Sequence, residues 1–106
     1  MRLLIDTQIF IWAVIDSDRL SEQARVIMLD AAEVFVSAAS IWEIAIKAKL
    51  GKLKGDPRAF AAAIVESGFH ELVISARHAC VVHELPLYHS DPFDRLLVAQ
   101  ALSEPF

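Results

Sequence analysis

The sequence predicts an α/β domain built on a parallel sheet. Short apolar runs of strand length alternate along the chain with longer segments whose apolar residues recur at helical spacing. The tight-turn dipeptides that mark β-hairpins do not separate any two of these runs. Neighbouring strands are therefore expected to be joined by helical crossovers, which makes them parallel. A length of 106 residues suits a single domain, residues 1–106.

Three segments have the composition of buried strands. Residues 3–5, 34–36 and 72–74 are short, apolar and rich in Leu, Ile, Val and Phe. Six helices are expected to alternate with them, at residues 9–15, 21–30 with Ser21 as cap, 40–50, 57–67, 75–84 with Ser75 as cap, and 92–102. The third helix is apolar almost all round, which predicts a position between layers.

Composition narrows the class of protein. Hydrophobic residues make up 56% of the chain, but no apolar run reaches the roughly 20 residues that span a bilayer. Asp6-Thr7-Gln8 interrupts the longest run and spoils a secretory signal, so a cytoplasmic protein is expected. Cys80 is the one cysteine and excludes an internal disulfide. The net charge of −4 argues against binding nucleic acid by charge alone.

Basic residues are concentrated in one segment. Five of the ten Lys and Arg residues lie between positions 47 and 58, and four of them are lysines: Lys47, Lys49, Lys52 and Lys54. A solvated helix end and loop explains this cluster, and contact with an RNA backbone is the sharper alternative.

Three acidic residues stand where parallel strands give way to helices. Asp6 follows the first strand, Glu43 follows the second, and Asp94 lies in the first turn of the last helix. Ligands of open parallel sheets bind beyond the carboxyl ends of the strands, so these acids could converge at one edge. Converging carboxylates repel each other and need a cation, and their oxygen atoms suit Mg²⁺ or Mn²⁺.

Helix capping is the simpler interpretation of each acid taken alone. Ser40-Ile-Trp-Glu43 has the pattern of a capping box, and Asp6 could cap the helix that begins near Gln8. Asp91 before Pro92 is a typical cap, which leaves Asp94 where an acid favours the helix dipole. The joint pattern is harder to explain by capping, but periodicity does not decide between the two.

A family resemblance covers nearly the whole chain. Four segments resemble the PIN-domain family, and most closely its VapC-type toxins: Leu4-Ile5-Asp6-Thr7-Gln8, Val36-Ser-Ala-Ala-Ser40-Ile-Trp-Glu43-Ile-Ala-Ile-Lys47, Gly51-Lys-Leu53 and His89-Ser-Asp91-Pro-Phe-Asp94-Arg95-Leu-Leu-Val-Ala-Gln-Ala101. The resemblance implies a three-layer α/β/α fold with a central parallel sheet. It also implies a metal-dependent ribonuclease in which Mg²⁺ or Mn²⁺ activates water, without a covalent enzyme intermediate.

The resemblance also implies site residues and partners. Asp6, Glu43 and Asp94 match the catalytic, metal-binding acids, and Thr7 and Ser40 match polar neighbours that help to position them. A VapB-type antitoxin that places a basic side chain in the acidic groove is implied, together with an RNA substrate and a homodimer.

The chain departs from the family pattern at two places. Gln8 stands where many relatives carry His. Relatives continue after the last helix into a strand whose end supplies a fourth acid, whereas here Ser103-Glu104-Pro105-Phe106 ends the sequence. We therefore expect the C-terminal strand to be missing and metal binding to be weakened.

Other candidate residues have mainly structural interpretations. Arg95 could pair with a neighbouring acid or with phosphate. The group of His78, Cys80 and His83 lacks zinc-site spacing, so packing is expected. The two tryptophans, Trp12 and Trp42, lie in apolar helices and are expected in the core rather than as stacking platforms for nucleic acid.

Two alternative functions differ in class from a nuclease. A PIN remnant could bind an antitoxin or RNA without cleaving it. A phosphotransfer domain also places an aspartate after its first strand, but Asp6-Thr7-Gln8 lacks the second acid that such domains use.

Overall fold

The computed structural model describes residues 1–86 and 91–106. In these ranges three parallel strands alternate with six helices, which confirms the α/β class. The elements are β1 Arg2–Ile5, α1 Thr7–Val14, α2 Glu22–Asp30, β2 Glu33–Ser37, α3 Ala38–Lys49, α4 Pro57–Glu66, β3 His70–Leu72, α5 Ala76–Val82 and α6 Pro92–Ser103. The strand order is β1-β2-β3, and each neighbouring pair is joined through helices.

The main core lies on one face of the sheet. Leu3 pairs with Val34 and Ile5 with Val36 across β1 and β2, and because side chains alternate along a strand these four point to the same side. They pack against buried residues of α1, α3 and α4, namely Phe10, Ile11, Ile44, Phe60 and Ile64.

The opposite face of the sheet receives the end of the chain. Phe106 packs edge-on against Phe35, with ring centroids 5.5 Å apart. The Arg2 guanidinium lies over both rings and donates a hydrogen bond to the Pro105 carbonyl at 3.1 Å. The residues after α6 are thereby fixed to β1 and β2.

Two helices begin earlier than the sequence pattern predicts. β2 runs to Ser37 and passes directly into α3, because the Ser37 hydroxyl accepts the Ala39 N–H at 3.0 Å and caps the helix there. The predicted capping box of Ser40 with Glu43 is therefore wrong, and Glu43 lies in the second turn rather than the first. α1 likewise begins at Thr7, directly after β1.

The third strand lies earlier than predicted. β3 occupies His70–Leu72 instead of residues 72–74, and Val36 pairs with Glu71. The strand is largely exposed and, within residues 1–86 and 91–106, pairs along one side only, so its alternation differs from that of a buried strand. The His70 ring contacts Phe35, with centroids 5.3 Å apart, and this contact helps to hold β3 against β2. Because histidine is not apolar, a search for apolar runs does not find this residue.

The remaining helix boundaries agree with the sequence patterns to within about two residues. Ser21 caps α2 and Ser75 caps α5 as predicted, and Pro57 and Pro92 start α4 and α6. Helix α5 ends at Val82, slightly before the predicted end. Among the helices of the described ranges, none has the length and apolar character needed to cross a membrane.

Candidate acidic site at the junction of α1, α3 and α6

Asp6 occupies the carboxyl end of β1 and caps α1. Its Oδ1 accepts the Ile9 N–H at 2.8 Å, so the capping interpretation of this residue is correct. The side chain is exposed, and Oδ2 makes no hydrogen bond within residues 1–86 and 91–106. Because a carboxylate has about four lone-pair positions, capping leaves it able to bind a cation.

Glu43 is a buried carboxylate with a basic partner. Only 6% of the residue is exposed, and Oε2 accepts a hydrogen bond from the Lys47 ammonium at 2.6 Å. The two residues are one helical turn apart, which is the spacing that brings side chains of a helix together. The ammonium offsets the cost of burying the Glu43 charge.

Lys47 lies in the electrostatic field of carboxylates from two helices. The hydrogen bond to Glu43 raises the pKa of Lys47 above its usual value, and the charges of Glu43, Asp91 and Asp94 raise it further. Partial burial of the ammonium acts in the opposite direction. The negative field at Lys47 therefore comes from α3 and from the start of α6 together.

The start of α6 contains the other two acids of this field. Asp91 caps the helix, as predicted, with Oδ1 accepting the Phe93 N–H at 2.8 Å and the Asp94 N–H at 3.2 Å. Asp94 is exposed in the first turn, where an acid interacts favourably with the helix dipole. His89, which the sequence places just before these acids, lies outside the described residues.

Two contacts tie the three helices together beside the acids. The Thr7 hydroxyl donates to the Ser40 hydroxyl at 2.9 Å, and both residues are buried. Thr7 follows Asp6, so this bond joins the end of β1 to α3. On the other side, the ring of Trp42 meets that of Phe93 edge-on, with centroids 5.0 Å apart. The predicted supporting residues Thr7 and Ser40 thus occupy the junction itself.

The structure stops short of a complete set of metal ligands. Within residues 1–86 and 91–106, no three His, Cys, Asp or Glu side chains are placed so that they could share one ion. The donor atoms of the acids nevertheless suit Mg²⁺ or Mn²⁺, because they are carboxylate oxygens, but the buried carboxylate of Glu43 is already neutralised by a cationic side chain. The ammonium of Lys47 supplies that positive charge in this arrangement.

The lysine-rich segment divides into two parts. Lys47 is directed to Glu43, whereas Lys49, Lys52 and Lys54 are exposed at the end of α3 and in the loop after it. Gly51, at φ +73°, ends the helix in the left-handed conformation that glycine adopts without strain. The three exposed lysines therefore stay candidates for RNA contact, and Lys47 has a clear internal role as well.

Arg95 contacts the neighbouring helix. Its guanidinium donates to the carbonyls of Val82 at 3.0 Å and Pro86 at 2.7 Å, where α5 leaves backbone acceptors unused. The bonds that the structure describes for Arg95 thus position α6 against α5, a role that the sequence analysis did not consider.

His78 is a packing residue, as predicted. It is 2% exposed; its Nδ1 accepts the Ser75 N–H at 3.1 Å, and its Nε2 lies 2.7 Å from Glu104 Oε2. An accepting Nδ1 requires the proton on Nε2, which then donates to Glu104. Cys80 and His83 are exposed and do not join it in a metal cluster within the described ranges.

The sequence analysis missed the partner of Glu43 and misplaced both tryptophans, since Trp12 is only half-buried and is not a member of the main core cluster. The signal for the first was present, since Glu43 and Lys47 have the spacing of a helical ion pair. Trp42 was expected in the core, but 55% of it is exposed, because the face of α3 that carries it points away from Ile44 and the main core.

Comparison with known proteins gives one finding. The sequence matches the family model of the PIN domain over residues 3–105, which includes Asp6, Glu43 and Asp94. No curated protein matches the chain. The match extends over almost the entire sequence and agrees with the parallel α/β fold. The chain therefore belongs to the PIN domain family.

Proposed function

We propose that this protein is a Mg²⁺- or Mn²⁺-dependent endoribonuclease and acts as the VapC-type toxin of a toxin–antitoxin pair. PIN domains are generally metal-dependent nucleases, so family membership supports the reaction class. The single observation that carries the proposal is the junction of helices: the Thr7–Ser40 hydrogen bond joins the residue after Asp6 to α3, and the Trp42–Phe93 ring contact joins the residues before Glu43 and Asp94.

The residues have distinct roles in this proposal. Asp6, Glu43 and Asp94 would hold the divalent ion through carboxylate oxygens. The ion, when bound, would lower the pKa of an attacking water and offset charge on the phosphodiester. Thr7 and Ser40 set the spacing between β1 and α3, and Asp91 orients the first turn of α6 and with it Asp94. Lys47 keeps the Glu43 carboxylate in place.

Substitution by asparagine distinguishes the role of an aspartate as a metal ligand from its role as a helix cap. Asn caps helices nearly as well as Asp, so Asp6→Asn should keep the fold while removing a charged ligand. We expect Mn²⁺-dependent cleavage of RNA to fall by at least about 100-fold in Asp6→Asn and in Asp94→Asn, on the scale of other losses of transition-state charge stabilisation. Asp56→Asn is the matched control, because Asp56 caps α4 in the same way.

A second candidate is a PIN protein that binds an antitoxin or RNA without cleaving it. It is favoured by the absence of a three-ligand cluster within residues 1–86 and 91–106. Calorimetry with Mn²⁺ distinguishes the two candidates. Failure to bind Mn²⁺ would exclude the nuclease, while cleavage that Asp94→Asn abolishes would exclude the non-cleaving protein.

The partners are proposals as well. Exposed large apolar side chains, including Leu29 at 83% and Leu102 at 68%, supply surface for a second copy or an antitoxin. Light scattering should give about twice the chain mass of 11.8 kDa if the protein is a homodimer. Toxicity on expression that a co-expressed VapB-type protein relieves would support the toxin role, and absence of toxicity with active nuclease would contradict it.

RNA contact by the exposed lysines has its own signature. Each phosphate contact contributes roughly one unit to the slope of log affinity against log salt. Replacing Lys52 and Lys54 together by Ala should therefore lower that slope by about two. An unchanged slope would make these lysines part of a solvated loop only.

A further inference from the structure

Beside the acidic junction lies an exposed aromatic pair. Trp42 precedes Glu43 on α3, and Phe93 precedes Asp94 on α6. Their rings meet at 77° with centroids 5.0 Å apart, and 55% of Trp42 is exposed while Phe93 is half-buried. Phe93 thus supports the indole from one side, and the remainder of the indole faces solvent.

The position of this pair is what makes it informative. The Trp42–Phe93 ring contact spans α3 and α6 next to the helical turns that carry Glu43 and Asp94, so the pair borders the proposed acidic site, while the side chains of Trp42 and Glu43 point to different sides of α3. The Trp42 indole N–H makes no hydrogen bond within the described ranges, and Trp42 is not a member of the main core cluster. An indole fixed beside a phosphodiester-cleaving site presents a π-surface where the bases of a bound strand must pass.

We propose that Trp42, supported by Phe93, is a stacking platform for an unpaired base of the RNA strand held at the acidic junction. This inference rests on the proposed nuclease function and deepens it, because it assigns to Trp42 a contact with a base of the substrate. A paired base is already stacked in its duplex and is not available to the indole, so the platform discriminates against double-stranded RNA. Trp42 is a positioning residue, since it acts on the base and not on the phosphate.

Indole fluorescence tests stacking without any catalysis. The chain has two tryptophans, so Trp12→Phe leaves Trp42 as the one reporter. The probe is a 12-nucleotide RNA of mixed sequence, added without divalent metal so that it is not cleaved, with binding followed separately by anisotropy of a labelled copy. We expect saturating single-stranded RNA to quench the Trp42 emission and the matching duplex to leave it unchanged. Bound single-stranded RNA without quenching would overturn the proposal.

Kinetics in Mn²⁺ give the second readout. Trp42→Ala should raise KM for the single-stranded RNA about tenfold and leave kcat within about twofold, because stacking acts on binding. Trp42→Tyr should restore most of the KM. Leu50→Ala is the control, since Leu50 is an apolar residue that is 62% exposed and caps the C-terminal end of α3, eight residues after Trp42.

The outcomes separate this inference from the proposed function. An unchanged KM in Trp42→Ala, with cleavage abolished by Asp6→Asn, would refute stacking and leave the nuclease intact. If the wild-type protein cleaves nothing in Mn²⁺, the nuclease fails and the fluorescence experiment alone decides on stacking. A change in molecular mass for Trp42→Ala, with RNA quenching absent, would make Trp42 a protein contact and overturn the platform.

Discussion

At the residue scale, the pairing of Glu43 with Lys47 is the feature with the most direct consequence for chemistry. A buried carboxylate needs positive charge, and the ammonium at 2.6 Å provides it. A divalent ion that uses the same carboxylate must compete with that ammonium. The raised pKa of Lys47 keeps it charged at neutral pH, so competition is present under ordinary conditions. Its contribution to stability is complete below the usual lysine pKa and is lost only as pH rises through the raised one.

Lys47→Met should therefore strengthen metal binding while weakening the metal-free fold. The ammonium is half-exposed, so we expect a modest effect: about two- to fivefold tighter Mn²⁺ binding by calorimetry. The melting temperature without metal should fall, because Glu43 loses its partner, and should recover in excess Mn²⁺. Lys49→Met is the control, since Lys49 has no ion pair within the described residues. Weaker Mn²⁺ binding in Lys47→Met would mean that the ammonium helps to build the site.

At the element scale, the two acids at the start of α6 have different roles. Asp91 binds two backbone N–H groups of the first turn, and one of them belongs to Asp94. The geometry that presents Asp94 to the junction thus depends on the cap, and the two residues are not interchangeable.

Substitution of Asp91 tests its role as the cap of α6. Asp91→Ala should lower the free energy of unfolding by about 1 kcal/mol in urea titrations, because two N–H groups lose their acceptor. Asp91→Asn should change it by a few tenths at most, since an amide oxygen can accept the same bonds. Equal stability of the Ala variant would show that solvent satisfies this helix end.

The helices and strands also show which parts of the fold can be predicted from sequence patterns. Alternation of short strands and helices predicts the parallel sheet, and the prolines and serines at helix starts predict most caps. The start of α3 was misplaced because Ser37 and Ser40 both have capping chemistry, and the Glu at the right distance favoured the wrong one. β3 was misplaced because exposed His70 and Glu71 belong to the strand while exposed Val73 does not. Such boundaries are decided by contacts with residues far away in the sequence. The spacing of residues within one segment carries no information about those contacts.

The candidate site was predictable in composition and less so in geometry. Asp6, Glu43 and Asp94 were identified from their positions after strands and from the family resemblance. Their mutual placement depends on Thr7 with Ser40 and on Trp42 with Phe93, contacts between residues more than 30 positions apart. Single-sequence patterns carry no information about such pairs.

At the scale of the whole molecule, the two faces of β1 and β2 are covered by different means. Buried aliphatic and aromatic residues of α1, α3 and α4 cover one face, while the other is closed by Arg2, Phe35 and the last residues. The cluster of Arg2, Phe35 and Phe106 is smaller than the main core and partly exposed, so loss of one ring removes a larger fraction of the contacts that cover this face.

Phe106→Ala should measure that share. The ring is 39% exposed and contacts both Phe35 and the Arg2 guanidinium. We expect the free energy of unfolding to fall by about 1 to 2 kcal/mol, as for loss of a partly buried aromatic pair. Leu102→Ala, at a residue that is 68% exposed, should change it by less than about 0.5 kcal/mol. Similar effects of the two substitutions would show that the last residues are not held to the sheet.

Binding of a divalent ion at the acidic junction should stabilise the whole molecule. An ion that binds only the folded chain adds about 2.7 kcal/mol at a concentration 100 times its Kd. The melting temperature should therefore rise with Mn²⁺ and stay constant in Asp6→Asn. A rise of equal size in that variant would locate the ion elsewhere.

The hydrogen bond between Thr7 and Ser40 fixes the register of one helix against the sheet. If α3 slid by one residue in either direction, Ala39 or Ile41 would face Thr7, and neither side chain can accept its hydroxyl proton. A buried hydroxyl without a partner costs roughly 1 to 3 kcal/mol, so the slipped arrangements are disfavoured. The bond therefore fixes the position of α3 relative to Thr7. Because Glu43 lies on α3, two uncharged hydroxyl groups set the direction in which its carboxylate points.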